Sequence, residues 1–202
     1  MDLLIGTSNA GKLREIAEML GDLPIRVLSL KDVGLDHMDV AEDADSLEAN
    51  ARLKVEAYAR ASGLPTLADD TGLFVDALDG RPGIYPARYG GAELTMPQRR
   101  ALLLSELSGV PVERRTARFI AVIALRTPQG EVQFATGVCE GRIATEEMHG
   151  ESGFGYDPVF MPAGHDISFS QMGETEKNKI SHRGLSVRAA LPILQSWIER
   201  GL

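Results

Sequence analysis

The chain has 202 residues, of which 44% are hydrophobic and 25% are charged. These fractions exclude a disordered or fibrous protein, and the length predicts a single domain over residues 1–202, built as two lobes. With 21 basic and 29 acidic side chains, the formal net charge is −8, which argues against polymeric nucleic acid and membrane surfaces as partners. An anionic ligand must therefore meet a local basic pocket.

The single cysteine, Cys139, cannot form an intramolecular disulfide. The N-terminal segment has no basic stretch followed by a long apolar run. The longest purely apolar run covers residues 119–125, whereas a membrane-spanning helix needs about 20 residues. We therefore expect a cytoplasmic protein that does not contact the membrane.

The first part of the chain is predicted to alternate strands with helices, because short apolar runs are separated by segments with helical spacing of apolar residues. The predicted elements are a strand at 3–6, a helix from the polar cluster 7–9 to Leu20, a strand at 25–29 and a helix ending near Ser62. Asp45 and Glu48 resemble a capping box that opens the second helix. Gly63 and Pro65 end it.

The next strand is predicted in two pieces, at 66–68 and 73–75, interrupted by a turn at 69–72 that contains Asp69 and Asp70. Two carboxylates would then lie at a turn between buried segments. The remaining predicted elements are a loop at 79–91, a helix capped by Thr95 and Gln98, a hairpin of strands at 117–126 and 131–138, and a final helix at 185–199 kinked by Pro192.

Residues 6–12 satisfy the pattern G-x-x-x-x-G-K, but Leu13 stands where a P-loop needs Ser or Thr to hold magnesium. The physics of an anion site still applies, because backbone N–H groups at a helix N-terminus and the Lys12 ammonium both attract phosphate. The alternative is an ordinary turn from a strand to a helix with a solvated lysine.

The acidic segment 42–45 and the pair Asp69 and Asp70 supply more carboxylate than a helix start or a turn needs. Magnesium is typically held by one or two carboxylates together with substrate phosphates and water. The alternative is that these side chains only favour the helix dipole and cap a turn. Asn50 and Lys54 are four residues apart, so they share one helix face and could reach phosphate.

Two segments near the C-terminus predict a pocket for a base. Residues 153–157, GFGYD, offer an aromatic face, two glycines and a carboxylate, and residues 176–184, EKNKISHRG, gather three cations and a histidine. The alternative for the second segment is a solvated run of charge.

Six segments together resemble the inosine/xanthosine triphosphate pyrophosphatase family. They are TSNAGK at 7–12, E-x7-N-x3-K at 42–54, ADDTGL at 68–73, RPGIYPARYGG at 81–91, GFGYDPVF at 153–160 and EKNKISHRG at 176–184. The resemblance implies an α/β fold in which helices flank an elongated, mixed, twisted sheet and two lobes surround a central nucleotide cleft. It also implies a homodimer that hydrolyses dITP, ITP and XTP to the nucleoside monophosphate and pyrophosphate with Mg²⁺, and Mn²⁺ accepts the same oxygen ligands.

Carried over by position, the resemblance implies that Glu42 and Asp70 hold the metal and that Asp70 accepts a proton from the attacking water. The residues expected to bind the nucleoside triphosphate are Thr7, Ser8, Asn9, Ala10, Gly11, Lys12, Lys54, Thr71, Phe154, Gly155, Tyr156, Asp157, Lys177, His182 and Arg183. The chain departs from the family at Ser8, where glycine is common, and at Gln171, where an acidic residue is usual. The second departure leaves the role of residues 168–172 open.

Base selection follows in part from hydrogen-bond chemistry. A 6-oxo purine presents an acceptor where adenine presents a donor, so donors from Arg183 or His182 would make ATP a poor substrate. Three alternatives are a pyrophosphatase for pyrimidine or modified nucleotides, a nucleotide sensor without catalysis, and a P-loop kinase, which Leu13 disfavours.

Overall fold

The computed structural model describes residues 1–151 and 153–201, which form seven β-strands and five α-helices. The strands are β1 (Asp2–Ile5), β2 (Arg26–Leu28), β3 (Thr66–Val75), β4 (Pro82–Gly83), β5 (Thr116–Arg126), β6 (Gln133–Ile143) and β7 (Phe160–Pro162). The helices are α1 (Ala10–Met19), α2 (Leu47–Ser62), α3 (Met96–Glu106), α4 (Glu174–Ile180) and α5 (His182–Glu199). None of the helices within this described part of the chain is long and apolar enough to cross a bilayer.

The strands form one mixed sheet in the order β2-β1-β3-β5-β6-β7, with β4 paired to β3. Strand β1 runs parallel to both β2 and β3, whereas the pairs β3–β4 and β6–β7 are antiparallel. Parallel neighbours need long crossover connections, and the chain provides them with α1 between β1 and β2 and with α2 before β3. The predicted α/β class with a mixed sheet is confirmed.

The chain divides into two compact units, the first comprising Met1–Asp70, Ala121–Gly137 and Arg183–Leu202. The core of this unit combines apolar side chains of β1, α1 and α5, and its largest fully buried side chain is Trp197. The helical spacing of Leu194 and Trp197 puts both on the same face of α5. The helix is therefore held to its unit by one apolar face.

The second unit comprises Thr71–Ile120 and Val138–His182. Its core is rich in aromatic side chains: the rings of Phe119 and Phe160 have centroids 4.7 Å apart, and Phe169 packs against both. Apolar side chains of α3 complete the cluster. The prediction that residues 1–202 form a single domain of two lobes stays a prediction.

Strand β3 is continuous, so the prediction of two pieces separated by a turn at 69–72 was wrong. Asp69 and Asp70 lie inside the strand, 1% and 5% exposed. Buried carboxylates are tolerated there because each contacts a buried or half-buried cation, Lys12 for Asp69 and Lys54 for Asp70. Local polarity therefore gave a misleading signal for a turn.

Two other boundaries differ from the prediction. The cap of α2 is Ser46 rather than Asp45, because the Ser46 hydroxyl accepts a hydrogen bond from the Ala49 amide at 3.1 Å. The final helix starts at His182, earlier than predicted, and most of the basic segment is helical. Lys177, His182 and Arg183 are buried, whereas Lys179 is exposed, so only part of the segment is solvated. The helix end at Gly63, with a left-handed φ of 69°, is confirmed, as is the capping box of Thr95 and Gln98.

Substitution of Gly141 would test how closely β6 packs against β7. A Cβ at this position would lie 2.3 Å from the Met161 carbonyl oxygen and 2.6 Å from the Phe160 ring. Because the Met161 carbonyl belongs to the paired strand, it cannot move aside, and Gly141→Ala should lower the free energy of unfolding by about 1–3 kcal/mol. Chemical denaturation measures the change.

Gly173→Ala is the matched control, since a Cβ there meets nothing within 4 Å and the backbone has an ordinary negative φ. We expect its stability to stay within about 0.5 kcal/mol of the wild type. Equal effects of the two substitutions would contradict the close approach of β6 and β7.

Candidate active site

The loop between β1 and α1 is organised by Asn9, the N-cap of α1. The Asn9 Oδ1 atom accepts hydrogen bonds from the amides of Gly11 at 2.9 Å and Lys12 at 3.1 Å. The Asn9 amide in turn donates to the Thr7 hydroxyl at 3.2 Å. The side-chain cap therefore satisfies two of the N–H groups that were predicted to face an anion, and Lys12 stands one turn into the helix.

The ammonium group of Lys54, on α2, donates hydrogen bonds to three oxygen atoms. Its Nζ lies 2.7 Å from Glu42 Oε2, 2.9 Å from Asp70 Oδ1 and 2.7 Å from the Asp69 carbonyl oxygen. Asn50, one turn earlier on the same face, donates from Nδ2 to Asp70 Oδ2 at 3.4 Å. The predicted pairing of Asn50 and Lys54 on one helix face is confirmed, and this face meets the candidate metal ligands.

The carboxyl groups of Glu42 and Asp70 are close enough to share a hydrogen bond, and their pKa values move apart. Burial raises the pKa of Asp70 to about 6, the hydrogen bond to Glu42 acts in the same direction, and the Lys54 ammonium opposes both. The pKa of Glu42 is lowered, because the hydrogen bond from Asp70 and the charge of Lys54 outweigh its burial. When two carboxyl groups share a site, ionisation of both is disfavoured and one pKa rises.

Asp69 belongs to a separate buried cluster of charges. Its Oδ2 atom lies 3.1 Å from Lys12 Nζ and 3.5 Å from Arg183 Nη2, and Arg183 Nη1 lies 2.5 Å from Glu15 Oε2. Burial opposes ionisation of Asp69, but Lys12, Arg183 and Lys54 outweigh it and hold the pKa of this carboxyl well below its usual range. Neighbours in a strand point to opposite faces, so Asp69 and Asp70 serve different sets of partners.

In the second unit, residues 154–157 form a turn that Lys177 holds. Asp157 Oδ2 accepts hydrogen bonds from the Phe154 amide at 2.7 Å and from Lys177 Nζ at 2.8 Å. The ammonium also lies 5.1 Å from the centre of the Phe154 ring. Lys177 is 2% exposed, so it is a buried, paired cation and not part of a solvated surface.

Two predicted site residues have fixed aromatic side chains. The Tyr156 hydroxyl donates to the Pro86 carbonyl at 2.9 Å, and burial raises its pKa to about 12, so it stays protonated at neutral pH. The His182 ring stacks on Phe119 with centroids 4.5 Å apart. Thr71 follows Asp70 directly along β3.

Residues 168–172, whose role the sequence left open, support the segment that precedes this turn. The hydroxyls of Ser168 and Ser170 both donate to the Met148 carbonyl at 2.6 Å. Gln171 Oε1 accepts from the Ser168 amide at 3.1 Å and so caps the short helix Phe169–Gln171. Either a glutamine or a glutamate side chain can accept this hydrogen bond, which explains how glutamine fits the position.

The predicted site residues fall into two groups, one in each compact unit. The first unit holds Thr7, Ser8, Asn9, Ala10, Gly11, Lys12, Glu42, Lys54, Asp70 and Arg183. The second unit holds Thr71, Phe154, Gly155, Tyr156, Asp157, Lys177 and His182.

Sequence reasoning missed Glu15, which pairs with Arg183. Its place three residues after Lys12, on the same side of α1, was the available signal.

The protein is an α/β protein with a capped loop after β1 and a pair of carboxyl groups, one of them in β3, bridged by Lys54. Residues 3–193 match the model of the Ham1 family. The chain belongs to the Ham1 family.

Similar proteins cover almost the whole chain. The dITP/XTP pyrophosphatase of Geobacter sulfurreducens is 45% identical over 90% of both chains, and that of Oceanobacillus iheyensis is 38% identical over 97% of both. The solved structure of a HAM1 protein from Coxiella burnetii has a TM-score of 0.85 at 34% identity, covering 97% of this chain and 99% of that one.

Replacing aspartate with asparagine should have opposite effects on stability at the adjacent residues Asp69 and Asp70. Asp70 has a folded-state pKa of about 6 against an ordinary value of 3.8, so the folded state loses stability as pH rises from about 4 through 6. Asp70→Asn avoids this loss and should raise the free energy of unfolding at pH 7.5 by about 1–3 kcal/mol. Thermal unfolding with a chelator present should show a higher Tm, and the gain should vanish near pH 4.

Asp69→Asn is the matched comparison. The pKa of Asp69 is depressed, so its charge contributes stability above its ordinary pKa, and that stability is lost as pH falls through the folded-state value. Removing the charge leaves Lys12 and Arg183 without this partner, and Tm should fall at pH 7.5. A loss of stability in both variants would contradict the assigned charge states.

Proposed function

We propose that this protein hydrolyses the non-canonical purine nucleoside triphosphates dITP, ITP and XTP to the nucleoside monophosphate and pyrophosphate, which removes them from the nucleotide pool. The observation that carries the proposal is that relatives named dITP/XTP pyrophosphatase align with 90% or more of this chain at 38–45% identity. The cluster of Glu42 with the buried residues Lys54 and Asp70 supports it, because hydrolysis of a phosphoanhydride needs cations and a proton acceptor in one place.

Glu42 and Asp70 are the residues proposed to hold Mg²⁺, and Mn²⁺ accepts the same donors. The close approach of the two carboxyl groups supports this assignment, since the ionised pair carries more negative charge than Lys54 alone compensates. Within residues 1–151 and 153–201, no group of three or more His, Cys, Asp or Glu side chains could hold a metal ion. The remaining ligands would therefore be substrate phosphates and water, as is usual for this ion. When bound, Mg²⁺ neutralises charge on the triphosphate.

Asp70 is proposed to accept the proton of the water that attacks the phosphate chain. The bond between the α and β phosphates breaks, and pyrophosphate leaves. The water oxygen stays on the phosphorus atom that it attacked. Because burial places the pKa of Asp70 at about 6, the carboxylate is a stronger base than an ordinary aspartate and is still ionised near neutral pH. Lys12 and Lys54, with side chains 17% and 9% exposed, supply positive charge for the phosphates.

Base recognition is assigned to the second group of residues and to Arg183 of the first group. The Phe154 ring offers a face for stacking, and Lys177 and Asp157 hold the turn that carries it. Donors from His182 and Arg183 would favour a 6-oxo purine over adenine. The two-lobed nucleotide cleft and the homodimer implied by the resemblance stay predictions, as does the cytoplasmic location expected from the single cysteine and the N-terminal segment.

Product analysis tests the proposed function. ITP, XTP, GTP, ATP and dTTP are incubated with the protein, with and without Mg²⁺, and the products are separated by chromatography. We expect monophosphate and pyrophosphate from ITP and XTP only, and only with the metal. Binding without turnover would identify a nucleotide sensor, and preferred hydrolysis of dTTP would identify a pyrimidine enzyme.

The role of Asp70 has its own test. Asp70→Asn should lower kcat for ITP by about 10²–10⁴-fold, because the amide cannot accept the proton of the water, while circular dichroism stays unchanged. Asp43→Asn is the matched control, since Asp43 is an exposed carboxylate of the same acidic segment, and its kcat should equal that of the wild type. A near-normal kcat for Asp70→Asn would remove Asp70 from the mechanism.

A further inference from the structure

A partly buried ion pair in the second unit has no part in the site described so far. The Arg100 guanidinium on α3 forms two parallel hydrogen bonds with the Glu147 carboxylate, from Nε to Oε1 at 2.9 Å and from Nη2 to Oε2 at 3.1 Å. The two side chains are 10% and 22% exposed. Such a bidentate pair fixes the plane of the guanidinium as well as its position.

The remaining edge of this guanidinium contacts the proposed base-binding turn. Arg100 Nη1 donates to the Gly155 carbonyl at 2.9 Å, and Gly155 has a left-handed φ of 62°. A peptide unit is planar, so holding this carbonyl also fixes the direction of the Tyr156 amide, which points the opposite way. Arg100 therefore sets the orientation of the backbone between Phe154 and Asp157.

We propose that Arg100, itself held by Glu147, is a positioning residue for nucleotide binding: it fixes the Gly155–Tyr156 peptide and with it the turn that grips the purine base. This inference rests on the proposed function, because it assigns Arg100 to the base-binding part of the same site. A buried ion pair adds little net stability compared with apolar side chains of similar volume. The Arg100–Glu147 pair therefore acts by orienting the turn, a role that its small contribution to stability does not explain.

The second unit contains a natural comparison for Arg100. Arg115 is also buried, 6% exposed, and its guanidinium donates to the carbonyls of Val110, Ala144 and Leu107, each at 2.9 Å. It thus holds backbone carbonyls as Arg100 does, but none of its three acceptors lies in residues 154–157. Substitution of Arg115 reports the loss of a buried arginine without loss of the proposed positioning.

Kinetics with ITP and Mg²⁺ separate the two roles. Arg100→Met should raise KM by about tenfold or more with kcat reduced by less than about threefold, because the turn binds the base and not the reacting phosphate. Arg100→Lys should recover part of the loss, since an ammonium can still donate to one acceptor. Arg115→Met should lower Tm and leave KM unchanged. If Arg100→Met fails to fold, Arg100→Lys against the wild type carries the test.

Hydrogen exchange of the ligand-free protein gives a readout that does not depend on the substrate. Amides of residues 154–157 should exchange faster in Arg100→Met than in the wild type or in Arg115→Met. If the wild type does not hydrolyse ITP, the proposed function fails, and exchange alone then decides whether Arg100 orders the turn. Unchanged exchange would overturn the proposal, as would faster exchange with a wild-type KM, which would make Arg100 a structural contact only.

Discussion

The part of the site in the first unit depends on the contacts of the Lys54 ammonium. It lies within 2.9 Å of two carboxylates and one backbone carbonyl, and its pKa is raised because Asp70, Asp69 and Glu42 outweigh the effect of burial. Without such a cation, carboxylates inside a central strand would be too costly to bury in the ionised form. The same contacts bring Glu42, α2 and β3 together, so charge compensation and site geometry have one source.

Strand alternation then gives the two adjacent carboxylates opposite roles. Asp69 is fully compensated by Lys12 and Arg183 and stays ionised, which makes it a structural anion. Asp70 shares its cation with Glu42 and has a raised pKa, which makes it the stronger base of the two. A stability cost at Asp70 accompanies the reactivity proposed for it, as is common at functional sites.

Local signals predicted the parts of the fold that short-range physics controls. The capping box at Thr95 begins one helix and the left-handed Gly63 ends another, each through contacts within four residues. Prediction was wrong at β3, where the acidic pair resembled a turn, because Lys12 and Lys54 approach from distant parts of the chain. The basic segment was similarly ambiguous, since burial of Lys177 depends on Asp157, 20 residues away.

By itself, the sequence determined the α/β class, the family resemblance and the identity of the candidate residues, because these depend on residue order, residue type and motif spacing. Only the tertiary structure decided which charges meet. It separated the Asp69 cluster from the Asp70 cluster. It also paired Glu15 with Arg183 and Arg100 with the Gly155 carbonyl, and both contacts join residues far apart in sequence. Pairing of buried charges depends on distances of a few ångströms after folding, and no local pattern encodes those distances.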